Sequence, residues 1–307
     1  MSRVIDRERE DLVRLLAGAI DMHLHIEPDL IERSTDDLSL AREFVALGWG
    51  GFVLKSHYFP TAERARVVSA AVPGAQVFGA VALNHAVGGF NPVAVDIAGR
   101  AGARVVWLPT VDAANESPER QEARGERHQP FWTRIQQEIR AKGCAPEPLS
   151  VFDEHGQLRP EVRSCLARVA EYDMVLATGH LARDEIFAVV AAARESGVKR
   201  IVVTHALFPS QALSIEEQRR LADMGAYIEG CYTTFYTNKC PWERLFAAIR
   251  AVGPERTVLS SDLGQRSNPS IVSGLLDFAA RLLAAGFTRR EVQRLLVENP
   301  ARLVADE

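Results

Sequence analysis

Eight short apolar or β-branched runs, each followed by an amphipathic stretch, constrain this chain more than any other feature of its sequence. The runs cover residues 19–25, 51–57, 75–84, 104–109, 174–180, 200–205, 226–232 and 257–262. Helical apolar spacing marks 35–47, 61–71, 93–101, 160–171, 182–196, 214–224 and 242–252, with closing helices near 270–285 and 289–297. Strands separated by helices pair in parallel through right-handed crossovers. Eight such units suit a closed barrel better than an open doubly wound sheet. The expected fold is therefore α/β, a (β/α)8 barrel of the TIM type. A chain of 307 residues holds one such barrel of roughly 250 residues with room for an insertion.

That insertion is expected at about 111–150, after strand four, within a single domain spanning 1–307. It is rich in Glu, Arg, Gln and Pro, with a helix expected at 131–142 and a small strand and turn at 151–158. Connections of this length are functional or mobile more often than not. The expectation is a lid or an oligomer contact, anchored by Phe131 and Trp132.

Composition narrows the partners. The net charge is −4, so nothing draws the chain to nucleic acid or to an anionic membrane. None of the four cysteines forms a C-x-x-C pair, which fits reduced thiols in the cytoplasm. The first residues are charged and lack a signal peptide's apolar core. No apolar run approaches the ~20 residues of a membrane span. A cytoplasmic homo-oligomer acting on a small molecule is expected.

The chemistry sits at the strand ends. Strand one ends in His23 and His25, strand two in Lys55 and His57, strand three in Asn84 and His85. Strand five ends in His180, strand six in His205 and strand eight in Asp262. Active sites of such barrels lie at the C-terminal strand ends, and residues at i and i+2 share a face. One mouth can therefore collect them all. Each residue alone has an ordinary reading: a surface pair, a hydrogen-bonded core histidine, a helix N-cap. Together they point to a divalent metal site, with zinc suited to the imidazoles.

In this arrangement the chain resembles the amidohydrolase superfamily. That family carries H-x-H on strand one, histidines on strands five and six, and an aspartate on strand eight. His23, His25, His180, His205 and Asp262 match in order. The ending Asn299-Pro300-Ala301-Arg302-Leu303 resembles the family's N-P-A-x-x-L segment. The resemblance implies one or two metal ions held by His23, His25, Lys55, His180, His205 and Asp262. It also implies a metal-activated water, with Asp262 as general base and His205 or His57 polarising the substrate. Many binuclear members bridge their metals with a carboxylated lysine on strand four, and strand four here has none. Lys55 on strand two has three readings: a carboxylated bridge, an ammonium for substrate or for a neighbour's pKa, or an ion pair with Asp21 or Glu229.

Expected substrate contacts are Tyr58, Asn84, His85, Glu229, Tyr232 and Arg266, with Arg127 or Arg134 of the insertion suiting a carboxylate. The expected reaction is hydrolysis of a C–N bond in a linear or cyclic amide. Lactone, ester or phosphoester hydrolysis, non-oxidative decarboxylation, and a metal-binding role without catalysis remain alternatives.

Overall fold

A computed structural model describes residues 2–125, 132–144 and 147–304. Arg127, His128 and Phe131 lie outside the described residues. Eight parallel strands follow chain order: β1 (Ile20–Leu24), β2 (Gly51–Leu54), β3 (Gln76–Ala82), β4 (Ala103–Trp107), β5 (Val175–Ala177), β6 (Arg200–Val203), β7 (Tyr227–Cys231) and β8 (Thr257–Ser260). Each neighbours the next in sequence, as the right-handed crossover rule requires. The last seam closes beyond the end of β8. Leu24 bridges Leu263 in parallel, Asp262 N donates to His23 O at 2.7 Å, and His25 N donates to Leu263 O at 2.8 Å. The barrel expected from the alternation is the barrel observed.

The strands are shorter than their apolar runs. β2 stops at Leu54, β5 at Ala177 and β6 at Val203, so Lys55, His57, His180 and His205 lie past the ladder. Leaving the ladder frees these residues from strict alternation and lets them converge. His205 and Asp262 adopt φ of 54° and 51°, a left-handed conformation that is uncommon for non-glycine residues and collects at functional turns.

Apolar side chains fill the barrel. Ile20, Met22, Val53, Val105, Val175 and Val258 are among its interior residues. Trp107 forms part of this packing directly beneath the mouth, with its ring 5.8 Å from that of His23. Asn299 of the N-P-A-x-x-L segment is buried, and its Nδ2 donates to the carbonyls of Pro254 and Thr257, both at 2.7 Å. It ties the C-terminal helix to the start of β8, while Leu303 packs into the barrel floor. The motif thus serves stability rather than chemistry.

Helix Ser2–Leu15 was not expected; its density of charge hides the apolar face that ends in buried Leu15 and Leu16. Between β4 and β5 lie helices Pro118–Ala123, Thr133–Ala141 and Pro160–Glu171. This segment is tied to the strand-end loops through Asn115, whose Nδ2 donates to Ser210 O at 2.8 Å and His180 O at 3.2 Å. Among the described residues, no helix is long and apolar enough to cross a membrane.

Candidate metal centre

Five imidazoles gather at the mouth. Ring centroids lie 4.8 Å apart for His23 and His205, 4.8 Å for His25 and His57, and 5.5 Å for His180 and His205. Asp262 reaches between them. Its Oδ1 is 3.2 Å from His23 Nε2 and 3.3 Å from His25 Nε2, and its Oδ2 is 3.8 Å from His205 Nε2. A cavity of about 300 Å³ opens above, lined by His25, Lys55, His57, His180, His205 and Asp262 among others. His23 is fully buried beneath them.

Burial sets the protonation of this group. It pushes His23, His25 and His57 well below the ordinary imidazole range, with the charges of Lys55 and Arg33 adding to the effect. It brings His205 down to about 3. These imidazoles are neutral at pH 7 and offer lone pairs, as metal ligation requires. A buried polar atom normally has a partner. Yet among the described residues His25 Nδ1, His205 Nδ1 and both nitrogens of His180 find no hydrogen-bond partner. Imidazoles with orphaned nitrogens around a carboxylate fit a divalent cation.

Among the described residues, two groups of donors are tight enough. His23, His25 and Asp262 place ligand atoms within 4.8 Å of one another, and so do His23, His205, Glu229 and Cys231. The two share His23 but use its opposite sides. Glu229 Oε2 is 3.2 Å and Cys231 Sγ 3.6 Å from His23 Nδ1, whereas Nε2 faces Asp262. Glu229 is therefore placed to fix the His23 tautomer, as carboxylates behind metal-binding imidazoles do. His180 stands outside both groups. Its Nδ1 lies 3.4 Å from Glu116 Oε1, close enough for charge but not aligned as a hydrogen bond. Burial alone would raise the Glu116 carboxyl; His180, Ser210 and Arg124 together hold it below its ordinary value. The φ of +62° at Gly179 turns the chain toward His180, and a Cβ there would fall 2.3 Å from Leu108 O.

Lys55 is buried, and burial lowers its pKa despite Asp262 and Glu229. Its Nζ is 2.7 Å from His23 Nε2 and 5.3 Å from the Trp107 ring centroid. Its close partner is thus an imidazole rather than Asp21 or Glu229.

Most of the expected substrate contacts lie elsewhere. Asn84 is fully buried and braces His57: its Nδ2 donates to His57 O at 2.8 Å and to Thr110 Oγ1 at 2.7 Å. Its Oδ1 accepts from Thr110 N at 2.8 Å. His85 Nε2 pairs with Glu147 O at 2.8 Å. Tyr58 is buried, its ring 6.2 Å from that of His57. Tyr232 packs in the core, and its hydroxyl donates to the partly exposed Asp277 at 2.8 Å. Arg266 pairs with exposed Glu32 at 2.7 Å, and Arg134 with exposed Glu138 at 2.9 Å. None of these, nor Glu229, is among the residues that line the cavity. Strand-end position in sequence does not reveal which way a side chain turns once the ladder stops. The cavity instead takes Arg33 and Glu116, which sequence reading overlooked. Arg33 sits in a loop and Glu116 ends a short 3-10 helix, both among other charges, where nothing local distinguishes them.

The architecture is that of the amidohydrolase-type barrels. A crystal structure described as an amidohydrolase from Pseudomonas aeruginosa superposes with a TM-score of 0.62 at 12% identity, covering 96% of this chain and 98% of that one. The probable dipeptidase PvdM from Pseudomonas aeruginosa gives 0.64 at 12% identity, with 99% and 98% covered. The organophosphorus hydrolase from Deinococcus radiodurans gives 0.56 at 16% identity, with 94% and 93% covered. At such identities the likeness is one of fold. By sequence, residues 18–229 match the family described as "Family of unknown function (DUF6282)", and the chain belongs to that family. No curated protein matches the chain by sequence.

Proposed function

We propose that this protein is a metal-dependent hydrolase that cleaves the C–N bond of a small linear or cyclic amide. The observation that carries the reading is the convergence of neutral, partly orphaned imidazoles on Asp262 beneath one cavity. His23, His25 and Asp262 would hold the first ion, and His180 and His205 the rest of its surroundings or a second ion. Zinc suits this nitrogen and oxygen donor set. Bound there, the ion supplies Lewis-acid polarisation and lowers the pKa of a water towards ~7.

The chain's own groups supply the proton handling. Asp262, its side chain 15% exposed, faces the cavity and can accept a proton and return it to the leaving nitrogen. An amine leaves only when protonated, which is why this group favours amides. His57 Nδ1 lies 2.9 Å from Thr110 Oγ1, which accepts from Asn84 Nδ2. With the hydroxyl proton given to His57 Nδ1, Nε2 carries the hydrogen and the neutral ring is a donor to a substrate oxygen rather than a ligand. Lys55 occupies the lone-pair side of His23 Nε2, so its ammonium competes with any cation there. Carboxylation of Lys55 would turn that competitor into a ligand. The insertion, through Glu116 and Trp132 in the cavity wall, is suited to act as a lid.

The test is a screen of the metal-loaded protein against amides, lactones and phosphotriesters. Asp262→Asn keeps an oxygen donor, should retain metal, and should lose turnover by ~10²–10⁴-fold. Wild-type turnover in that variant refutes the base assignment. A metal-loaded protein inert towards every class refutes the hydrolase reading in favour of a binding role.

A further inference from the structure

One buried cation in the cavity wall has no part in the chemistry above. Arg33 lines the cavity yet is only 6% exposed. Asp29 holds it from behind: Oδ2 accepts from Nε at 2.7 Å and lies 2.6 Å from Nη2. The two side chains are 4% and 3% exposed, so the pair is compensated and stable in its dry setting. A guanidinium carries five donors in a planar fork. Among the described residues, nothing else pairs with its Nη1 end.

The loop that carries Arg33 is rigidly framed. Arg33 N donates to Glu27 Oε1 at 3.1 Å. Arg64 Nη1 donates to Pro28 O at 2.9 Å, and Arg64 Nη2 also reaches the Glu27 carbonyl. Ser34 N donates to Gly264 O at 2.8 Å, and Arg33 bridges Gln265 in antiparallel fashion. Gly264 makes this approach possible: its φ is +124°, and a Cβ there would fall 1.5 Å from His25 O. The guanidinium is thus fixed beside the end of β1, next to the metal-capable histidines. A donor held in place before binding loses little entropy when a ligand arrives.

The other cavity cations are less suited. Lys55 is occupied by His23, and Lys239 is exposed, its Nζ 5.0 Å from the Phe208 ring centroid. A planar fork matches a carboxylate or a phosphate. Asp29 already cancels one unit of charge, which favours a monoanion over a dianion. Ile31, Trp132 and Phe208 give the same cavity an apolar flank.

We propose that Arg33 recognises a carboxylate on the substrate, so that the molecule cleaved is a small amide bearing a free carboxylate beside an apolar group. The words "amide" and "cleaved" rest on the hydrolase reading; the carboxylate site does not.

The experiment therefore reads binding first. Metal-loaded protein is titrated calorimetrically with benzoate and 3-phenylpropanoate, with their matched primary amides, and with phenylphosphonate. The acids should bind at least ~10-fold more tightly than the amides, the range that a charge-assisted hydrogen bond gives. Arg33→Lys, which keeps charge but loses the fork, should weaken the acids. The double variant Arg33→Met with Asp29→Asn, which leaves no buried charge unpaired, should abolish the preference. Direct ligation of the acid by the metal would survive both variants and is thereby separated. Equal affinity for acids and amides, failure of both acids to bind at millimolar concentration, or a preference unchanged in the folded double variant overturns the proposal. Tighter binding of the phosphonate overturns it in favour of a phosphate ligand. Turnover of N-acyl amino acids is then assayed separately. Selective acid binding with no hydrolysis of any amide refutes the hydrolase reading and leaves the carboxylate site standing.

Discussion

Asp21 offers a quantitative test of how the barrel seam is built. It is 1% exposed. Its Oδ1 accepts from Ser261 N at 3.0 Å, across the β8–β1 seam, and from His23 N at 3.2 Å. Among the described residues its Oδ2 has no partner. Burial raises the carboxyl from 3.8 to about 7, in spite of the hydrogen bonds from Ser261 and His23, with Glu229 adding a little. The folded protein therefore keeps a proton that the unfolded chain releases near pH 4. For a group raised in the folded state, the stabilisation is complete below the unfolded pKa and is lost as pH climbs to the folded value. About three pKa units at 1.36 kcal/mol each come to about 4 kcal/mol, lost between about pH 4 and pH 7. Asp21→Asn keeps the Oδ1 acceptor and cannot titrate. His23, His25, His57 and His205 are depressed, so their contribution is present above about pH 6.5 and is lost as pH falls, opposite in sign. Both proteins carry them, so the difference between the two isolates Asp21. Urea unfolding of chelator-treated wild type and Asp21→Asn from pH 4 to pH 8 should show wild type losing about 4 kcal/mol relative to the variant. A difference that stays flat across this range refutes the reasoning.

Three further outcomes follow from the site. Glu116→Gln removes the charge beside His180 and should weaken metal binding roughly 10–100-fold, measured by competition with a chromophoric chelator; unchanged affinity would leave Glu116 a purely structural role. Thr110→Val removes the hydroxyl between Asn84 and His57 and should cut kcat by on the order of 10²-fold with little change in KM, on any substrate the screen finds. Tyr232→Phe loses one hydrogen bond to Asp277 and should cost about 1 kcal/mol in chemical unfolding with activity intact; a raised KM would return Tyr232 to the substrate site.

Much of this was legible in the sequence, for definite reasons. Apolar periodicity reports burial, and burial on alternating short and long segments leaves little besides a parallel barrel. The order of His23, His25, His180, His205 and Asp262 placed them on strands whose ends must meet. The N-terminal helix escaped notice because its charges mask the stripe that ends in Leu15 and Leu16. What the tertiary structure alone decided is which polar residue faces which space. Asn84 and Tyr232 stand at strand ends as the histidines do, and Glu229 lies within β7, yet all three turn into hydrogen-bonded positions away from the cavity. Arg33 and Glu116 come from connecting segments with no distinguishing pattern and turn into it. The physical reason is that ladder periodicity ends with the ladder. Beyond Leu54, Ala177 and Val203, side-chain direction is set by contacts between residues distant in sequence, such as Asn84 with Thr110, Asn115 with Ser210, and the loop of Arg33 with Gly264.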